Sequence, residues 1–246
     1  MIKIRTLCLS LLLLAVSSLA LLNHVDLKYS AFSTKTPWDD TVFAITSVTG
    51  SGTGFLLNYN EKKYIVTNAH VCGSMKLGEF IGVRKNDGGM VKTRNPDYKT
   101  RILYKDFNKD ICILNGIGDK ALDLAEDYSF NDSVTAVGYP AMLPLQESKG
   151  SIIGMDIIRI GQPEISEQEC IGPVRELLRG FFGPICVVSY KVIISDMRIY
   201  GGSSGSPVLN SDDEVIGVVF AGRTDGSAAF FIPLDTLKTA LQELSQ

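Results

Sequence analysis

Short runs of β-branched and aromatic residues, separated by turn residues, recur along most of the chain. Such runs are typical of β-strands, because these side chains pack well on a pleated surface. The predicted strands are TVFAITSV, GTGFLLN, KYIVTNAHV, DICILNG, SVTAVGY, VVSYKVIIS, EVIGVVFAG and AAFFIP. A single helix is predicted at the C-terminus, where Asp235 is placed to cap its start. Its apolar face comprises Leu234, Leu237, Leu241 and Leu244. Many short strands followed by one helix predict an all-β fold, built as barrels or as a sandwich.

Residues 155–190 interrupt this pattern of short strands. We interpret them as an elaborated loop with a short helical stretch over 173–178. Long loops are often functional, so two interpretations stay open. The segment is either a surface insertion without a role or a wall beside a binding cleft.

The N-terminus has the pattern of an export signal. Lys3 and Arg5 precede an apolar run over 7–22 that contains small residues near its end. We expect residues 1–22 to be a signal peptide or, if they are not cleaved, a membrane anchor, and 23–37 to be a polar lead-in. Both alternatives predict an exported protein, periplasmic or secreted, with membrane attachment through residues 7–22 in the second.

An exported chain can form disulfides, and four cysteines follow the N-terminal segment. Four cysteines allow three connectivities, which the sequence does not distinguish. We favour a bond between Cys170 and Cys186, which bracket part of the 155–190 segment. Cys72 and Cys112 each lie in an apolar run, where the simplest expectation is a pair of buried thiols; a bond between these two is conceivable but not favoured.

Composition and charge narrow the class of protein. The 246 residues are 45% hydrophobic and 21% charged, which is ordinary for a globular protein with a sizeable core. The 24 basic and 27 acidic residues give a formal net charge of -3. Nucleic-acid binding depends on a strongly electropositive surface, so nucleic acid is excluded as a partner.

Three polar residues stand where a hydrolase could use them. Of the two histidines only His70, after the strand YIVT, lies beyond the export segment. Asp110 opens the apolar run ICIL, where a partly buried carboxylate could accept the Nδ1 proton of an imidazole. Ser204 lies in GGSSGSPV, whose glycines allow a turn that points the N–H groups of Gly202 and Ser204 into one concavity. The ordinary alternatives are a structural histidine, a turn-capping aspartate and a flexible loop.

The order of TNAH, DICIL and GSSGSP along the chain resembles that of the trypsin-like (chymotrypsin-fold) serine peptidases, and the whole is most similar to the bacterial HtrA-type branch. The resemblance implies two six-stranded antiparallel β-barrels with the site in the crevice between them. It implies a peptidase domain at 38–246, with barrels at about 38–120 and 128–234 and a C-terminal helix at 235–245.

The resemblance also implies an activity, that of a serine endopeptidase. His70 is then the general base, Asp110 orients its ring, and Ser204 is the nucleophile. The N–H groups of Gly202 and Ser204 form the oxyanion hole. The expected partner is a polypeptide substrate, and neither a metal nor another cofactor is expected.

By the same resemblance, a specificity pocket is expected beside the serine. Its residues are Arg198, Phe220, Ala221, Gly222 and Ala228. An arginine at the base would favour an acidic P1 side chain, whereas the apolar residues would favour a small or medium apolar one. We expect the apolar preference, because arginine side chains usually reach solvent.

The chain departs from the family pattern in several places. Ser203 replaces the aspartate of digestive members, and no Ile-Val-Gly-Gly start is present, so activity is expected without their zymogen switch. The chain ends at Gln246, and no PDZ domain of the kind found in true HtrA proteases is expected to follow.

Two other hydrolase classes are excluded. An α/β-hydrolase needs its histidine after the serine, and a zincin metalloprotease needs an H-E-x-x-H helix. The remaining alternative is a catalytically inert peptidase-fold protein that binds peptides or acts as a structural partner.

Overall fold

The computed structural model of the chain describes residues 36–48, 50–86, 96–162, 170, 174–176 and 184–246. The predicted export segment lies outside these residues. No helix in the described ranges is long and apolar enough to cross a membrane.

The first half of the described chain forms a closed antiparallel barrel with strand order β1-β2-β3-β6-β5-β4. Its strands are β1 Val42–Thr46, β2 Ser51–Tyr59, β3 Lys62–Thr67, β4 Phe80–Arg84, β5 Tyr98–Asp106 and β6 Ile111–Asn115. A one-turn helix, α1 (Ala69–Cys72), follows β3. Alternate side chains such as Phe43, Leu56 and Ile65 are fully buried in one apolar cluster. The apolar side chains of these strands therefore form the core of the barrel.

The second half forms another antiparallel sheet, in the order β13-β12-β11-β7-β8-β10-β9. Its strands are β7 Ser133–Gly138, β8 Gln146–Gln162, β9 Val174–Glu176, β10 Pro184–Ser195, β11 Pro207–Leu209, β12 Val215–Gly222 and β13 Ala229–Pro233. Pairing of β10 with β13 closes six of these strands on themselves, and β9 pairs with the other end of β10. The predicted fold class, two six-stranded antiparallel barrels, is confirmed.

The C-terminal helix α2 (Leu234–Leu244) is present as predicted, and Leu237 and Leu241 on its apolar face are fully buried. Its start differs from the prediction, because the helix begins at Leu234 with Pro233 as the N-cap residue. Asp235 is therefore not the cap. It lies in the first turn, where a negative charge is favourable, and pairs with a lysine on β10 at 2.8 Å.

The last turn of α2 is joined to the first barrel through Glu243. Its carboxylate accepts hydrogen bonds from the Tyr104 hydroxyl at 2.7 Å and from Lys109 Nζ at 3.0 Å. These bonds, that from Tyr104 first, lower the pKa of Glu243. Burial and the same contact raise the pKa of Tyr104. The charge of Glu243 thus helps to hold helix and barrel together.

The 155–190 segment is not a loop where the structure describes it. β8 and β10 continue as a two-stranded ribbon, with β9 paired to the far end of β10. Ile158 and Ile160 are half-buried against the core, whereas Ile157 and Arg159 are exposed. An alternation of period two belongs to a strand, so the loop interpretation and the helical stretch are wrong for the described residues.

The structure contains two disulfides within its described part. Cys170 is bonded to Cys186, the favoured pair. Cys72 is bonded to Cys112, so the expectation of two buried thiols is wrong for this pair. Structural disulfides persist in oxidising surroundings, which indicates a periplasmic or extracellular location.

Candidate active site

His70 and Asp110 are brought together by the pairing of β3 with β6. Thr67 pairs with Cys112, so the chain leaving β3 and the chain entering β6 run side by side. His70 Nδ1 lies 2.8 Å from Asp110 Oδ2, and the His70 backbone N–H donates to Asp110 Oδ1 at 2.9 Å. A carboxylate only accepts hydrogen bonds, so Nδ1 carries the ring proton and Nε2 is left as the basic nitrogen.

The surroundings of Asp110 fix its position. Asp110 is fully buried and has a left-handed backbone, with φ 51°. Its carbonyl accepts a hydrogen bond from Asn68 Nδ2 at 3.0 Å. The bond between Cys72 and Cys112 ties α1 to β6 next to both catalytic candidates. The sequence could show the spacing of these cysteines but not the strand register that pairs them.

Ser204 lies at the centre of a tight turn. The Ser203 N–H donates to Tyr200 O, and the Ser206 N–H donates to Ser203 O, both at 3.0 Å. Among the described residues, no acceptor is found for the backbone N–H of Gly202 or of Ser204. The turn therefore pairs the N–H groups of Ser203 and Ser206 and leaves those of Gly202 and Ser204 available as donors.

Glycine is required at two places around this turn. Gly205 has φ 85°, and a Cβ there would lie 2.0 Å from the carbonyl oxygen of Thr53. A Cβ on Gly52 would lie 2.8 Å from the carbonyl oxygen of Ser204. The turn and β2 approach each other too closely for side chains at either position.

Thr53 of the first barrel holds the serine turn of the second. Its N–H donates to Ser204 O at 2.7 Å, and its hydroxyl donates to Gly202 O at 2.9 Å. The same hydroxyl accepts a hydrogen bond from the Tyr139 N–H at 3.0 Å. Thr53 is fully buried, so these contacts are shielded from water. The sequence offered no signal for this role beyond the glycines on either side.

His70 and Ser204 both contact Phe220. Ser204 Oγ donates to Phe220 O at 3.3 Å, and the His70 ring meets the edge of the Phe220 ring with centroids 6.2 Å apart. Tyr190 of β10 packs on the same ring, with centroids 5.0 Å apart, and its hydroxyl donates to Phe107 O at 2.6 Å. Tyr190, at the end of the 155–190 segment, therefore supports Phe220 next to the site.

A cavity of about 330 Å³ opens beside Ser204. Of the residues expected in a specificity pocket, Phe220, Ala221 and Gly222 line it. Arg198 and Ala228 do not, because Arg198 faces a different cavity and Ala228 is buried. Its other walls, which sequence reasoning missed, come from Ile199, Tyr200, Gly201, Arg223, Thr224 and Gly226. The stretch GRTDGS, directly after a predicted strand, was the available signal for the last three.

Arg223 places a cation at this cavity. Its guanidinium lies 3.3 Å from the carboxylate of Asp225, and both side chains are more than half exposed. Hydrogen bonds from Ser227 and Arg223 lower the pKa of Asp225 to about 2. Arg223 and Asp225 are therefore both charged at neutral pH, and their opposite charges largely cancel.

Comparison with known proteins gives the family and the fold of the chain. Residues 52–218 match the family model of the trypsin-like peptidase domain. The active form of the Rv3671c protease from M. tuberculosis superposes with a TM-score of 0.60 at 21% identity, covering 84% of this chain and 81% of that one. A serine endoprotease from Yersinia pestis gives a TM-score of 0.56 at 17% identity, covering 86% and 68%. The HtrA-type protease AlgW, solved with a tripeptide, gives a TM-score of 0.56 at 18% identity, covering 83% and 58%. The chain belongs to the trypsin-like peptidase family and is, as an enzyme, a serine endopeptidase.

Proposed function

We propose that the chain cleaves polypeptides through a triad of His70, Asp110 and Ser204. The observation that carries the proposal is the double hydrogen bond of the buried Asp110 carboxylate to the ring and the backbone of His70. It leaves Nε2 as the base that takes the proton of Ser204 Oγ while that oxygen attacks the scissile carbonyl. The protonated ring then gives its proton to the leaving amine, and water releases the acyl-enzyme.

The oxyanion of the tetrahedral intermediate is held by the N–H groups of Gly202 and Ser204. The proposal is supported by the lack of acceptors for these donors within the described residues. Thr53 adds support, because it fixes the carbonyls of the same two residues. Loss of one such donor typically lowers the rate by about 10²–10³-fold.

The test uses a fluorophosphonate, which bonds covalently to an activated serine, followed by peptide mass spectrometry. We expect the adduct on Ser204 alone, and loss of labelling and of peptide hydrolysis in Ser204→Ala and His70→Ala. Ser211→Ala, at an exposed loop position, is the matched control and should behave as the parent. Unchanged hydrolysis in either triad variant would contradict the mechanism. A folded parent that binds peptides without labelling or cleaving them would instead support the inert alternative.

We further propose a small or medium apolar preference at P1. Phe220, Ala221 and Gly222 give the cavity apolar walls, and the charge of Arg223 is compensated by Asp225. Peptides that differ only at P1 should be cleaved faster with alanine or valine than with aspartate or lysine. Faster cleavage after aspartate would show that Arg223 dominates the pocket.

The proposed location is outside the cytoplasm, reached through residues 1–22. The two disulfides support an oxidising compartment. N-terminal sequencing of the exported protein decides between a cleaved signal peptide and an anchor. A protein that stays in the cytoplasm with reduced cysteines would contradict export.

A further inference from the structure

A second cavity, of about 230 Å³, adjoins the serine turn. Ser203 and Ser206 of the turn line it, as does Arg198, which the sequence had placed in the specificity pocket. It shares Ile199 and Tyr200 with the specificity cavity and no other lining residue. The two cavities therefore adjoin along one short segment of chain.

Ser206, one of the residues that line this second cavity, has an unsatisfied polar group. Ser206 is 1% exposed, and its Oγ has no hydrogen-bond partner among the described residues. Buried hydroxyls are nearly always paired, so an unpaired one beside a cavity indicates a bound ligand or water. Ser203, 6% exposed, adds a second hydroxyl to the same wall.

The charged residues that line the cavity are one cation, Arg198, and one anion, Glu147. Arg198 makes no ion pair within the described part of the chain. Glu147, the other charged residue of the lining, already accepts a hydrogen bond from Trp38 Nε1 at 2.8 Å and lies 3.4 Å from Lys149 Nζ. Because the carboxylate of Glu147 already has these partners, the guanidinium of Arg198 is the charge available to a ligand.

We propose that this cavity binds a small organic carboxylate with a neighbouring hydrogen-bonding group. The carboxylate pairs with Arg198, and the neighbouring group bonds to the hydroxyl of Ser206 and the amide of Gln146, another lining residue. The volume lies below the roughly 300–1,000 Å³ of pockets for drug-sized ligands, so the ligand is a small acid or the free end of a peptide. Ser203 and Ser206 line the cavity, and the Ser206 N–H donates to Ser203 O across the turn. A ligand in the cavity therefore contacts the turn that carries Ser204.

The test measures binding rather than catalysis, so it is independent of the peptidase mechanism. The full chain carrying Ser204→Ala is titrated with N-acetylglycine and, separately, with N-acetylglycinamide, and binding is followed by ¹H–¹⁵N NMR. We expect saturable binding of the acid, with the largest shifts at residues 198–206, and much weaker binding of the amide. A short peptide with a free C-terminal glycine tells whether a peptide end is accepted or only a free small acid, and either source satisfies the proposal.

Matched arginine variants locate the site. Arg198→Ala should weaken binding of N-acetylglycine on the order of tenfold, because a charge-assisted hydrogen bond is lost, whereas Arg223→Ala at the specificity cavity should leave it unchanged. Ser206→Ala should weaken binding by a few-fold and keep the spectrum of a folded protein. The proposal is overturned if the acid does not bind, if the amide binds equally well, or if Arg223→Ala and not Arg198→Ala abolishes binding.

Discussion

Replacing Asp110 by asparagine separates the electrostatic role of this residue from its structural one. The His70 backbone N–H can only donate, so the asparagine oxygen takes the place of Oδ1 and keeps the 2.9 Å bond. The amide NH₂ then faces Nδ1, at the position where Oδ2 lies 2.8 Å away in the parent. Nδ1 must become an acceptor, and the ring proton moves to Nε2. The base that should receive the Ser204 proton is thereby lost while the geometry remains.

The expected loss in kcat is about 10⁴-fold, or about 5.4 kcal/mol of transition-state stabilisation. The fold should survive, because asparagine tolerates the left-handed backbone found at position 110, with φ 51°. Steady-state kinetics on a fluorogenic peptide measure kcat and KM, and thermal unfolding verifies the fold. Asp106→Asn is the control, since Asp106 ends β5 just before the same loop and pairs with Lys109 rather than with the ring. A folded Asp110→Asn enzyme with kcat within about tenfold of the parent would refute the tautomer argument.

Three further changes test how the site is held in the fold. Gly205→Ala should lower the free energy of unfolding by at least about 3 kcal/mol, because the added Cβ would clash with a backbone oxygen. The control Gly78→Ala, with φ 83° and open space around it, should cost about 1 kcal/mol. Equal losses for the two variants in urea denaturation would contradict this. Replacing Cys72 and Cys112 by serine should cost about 4 kcal/mol in the same assay, because their bond joins residues 40 apart in sequence; a loss below about 1 kcal/mol would show that the bond contributes little. Glu243→Gln should lose about 0.5–1 kcal/mol at neutral pH, reduced by the exposure of this side chain. Since the folded state lowers the pKa of Glu243, that stability is present above the unfolded pKa and disappears as pH falls below about 4; a deficit independent of pH would exclude the charge as its cause.

Local sequence patterns predicted eight of the thirteen strands in the described part of the chain and missed β4, β5, β8, β9 and β11. Each of the eight predicted runs contains a strand, because each buries branched or aromatic side chains, but the end of KYIVTNAHV forms the helix α1 instead. β11 (Pro207–Leu209) is too short to show a pattern of its own. β8 (Gln146–Gln162) is polar at its start and interrupted by glycines, so its continuation beyond the barrel was mistaken for a loop.

The site divides in the same way between local and tertiary information. His70, Asp110 and Ser204 could be proposed because each stands in a short motif close to a strand. Thr53 and Tyr190 could not, since the contact of Thr53 with the serine turn depends on how the barrels pack, and that of Tyr190 with Phe220 on how the second barrel closes. Tertiary packing leaves no mark on a single sequence.

Arg198 shows what the backbone adds to the pattern of residues. Its neighbours Met197 and Ile199 are 0% and 7% exposed, so the intervening side chain is directed away from their apolar cluster. Arg198 is exposed and lines the second cavity, whereas Ile199 and Tyr200 line both cavities. The carbonyl of Tyr200, which lines both cavities, accepts a hydrogen bond from the N–H of Ser203, next to the proposed nucleophile Ser204. A ligand that shifts Ile199 and Tyr200 therefore alters both the serine turn and the substrate cavity. If that ligand changes the affinity for substrate by a given factor, linkage requires that bound substrate change the affinity for the ligand by the same factor.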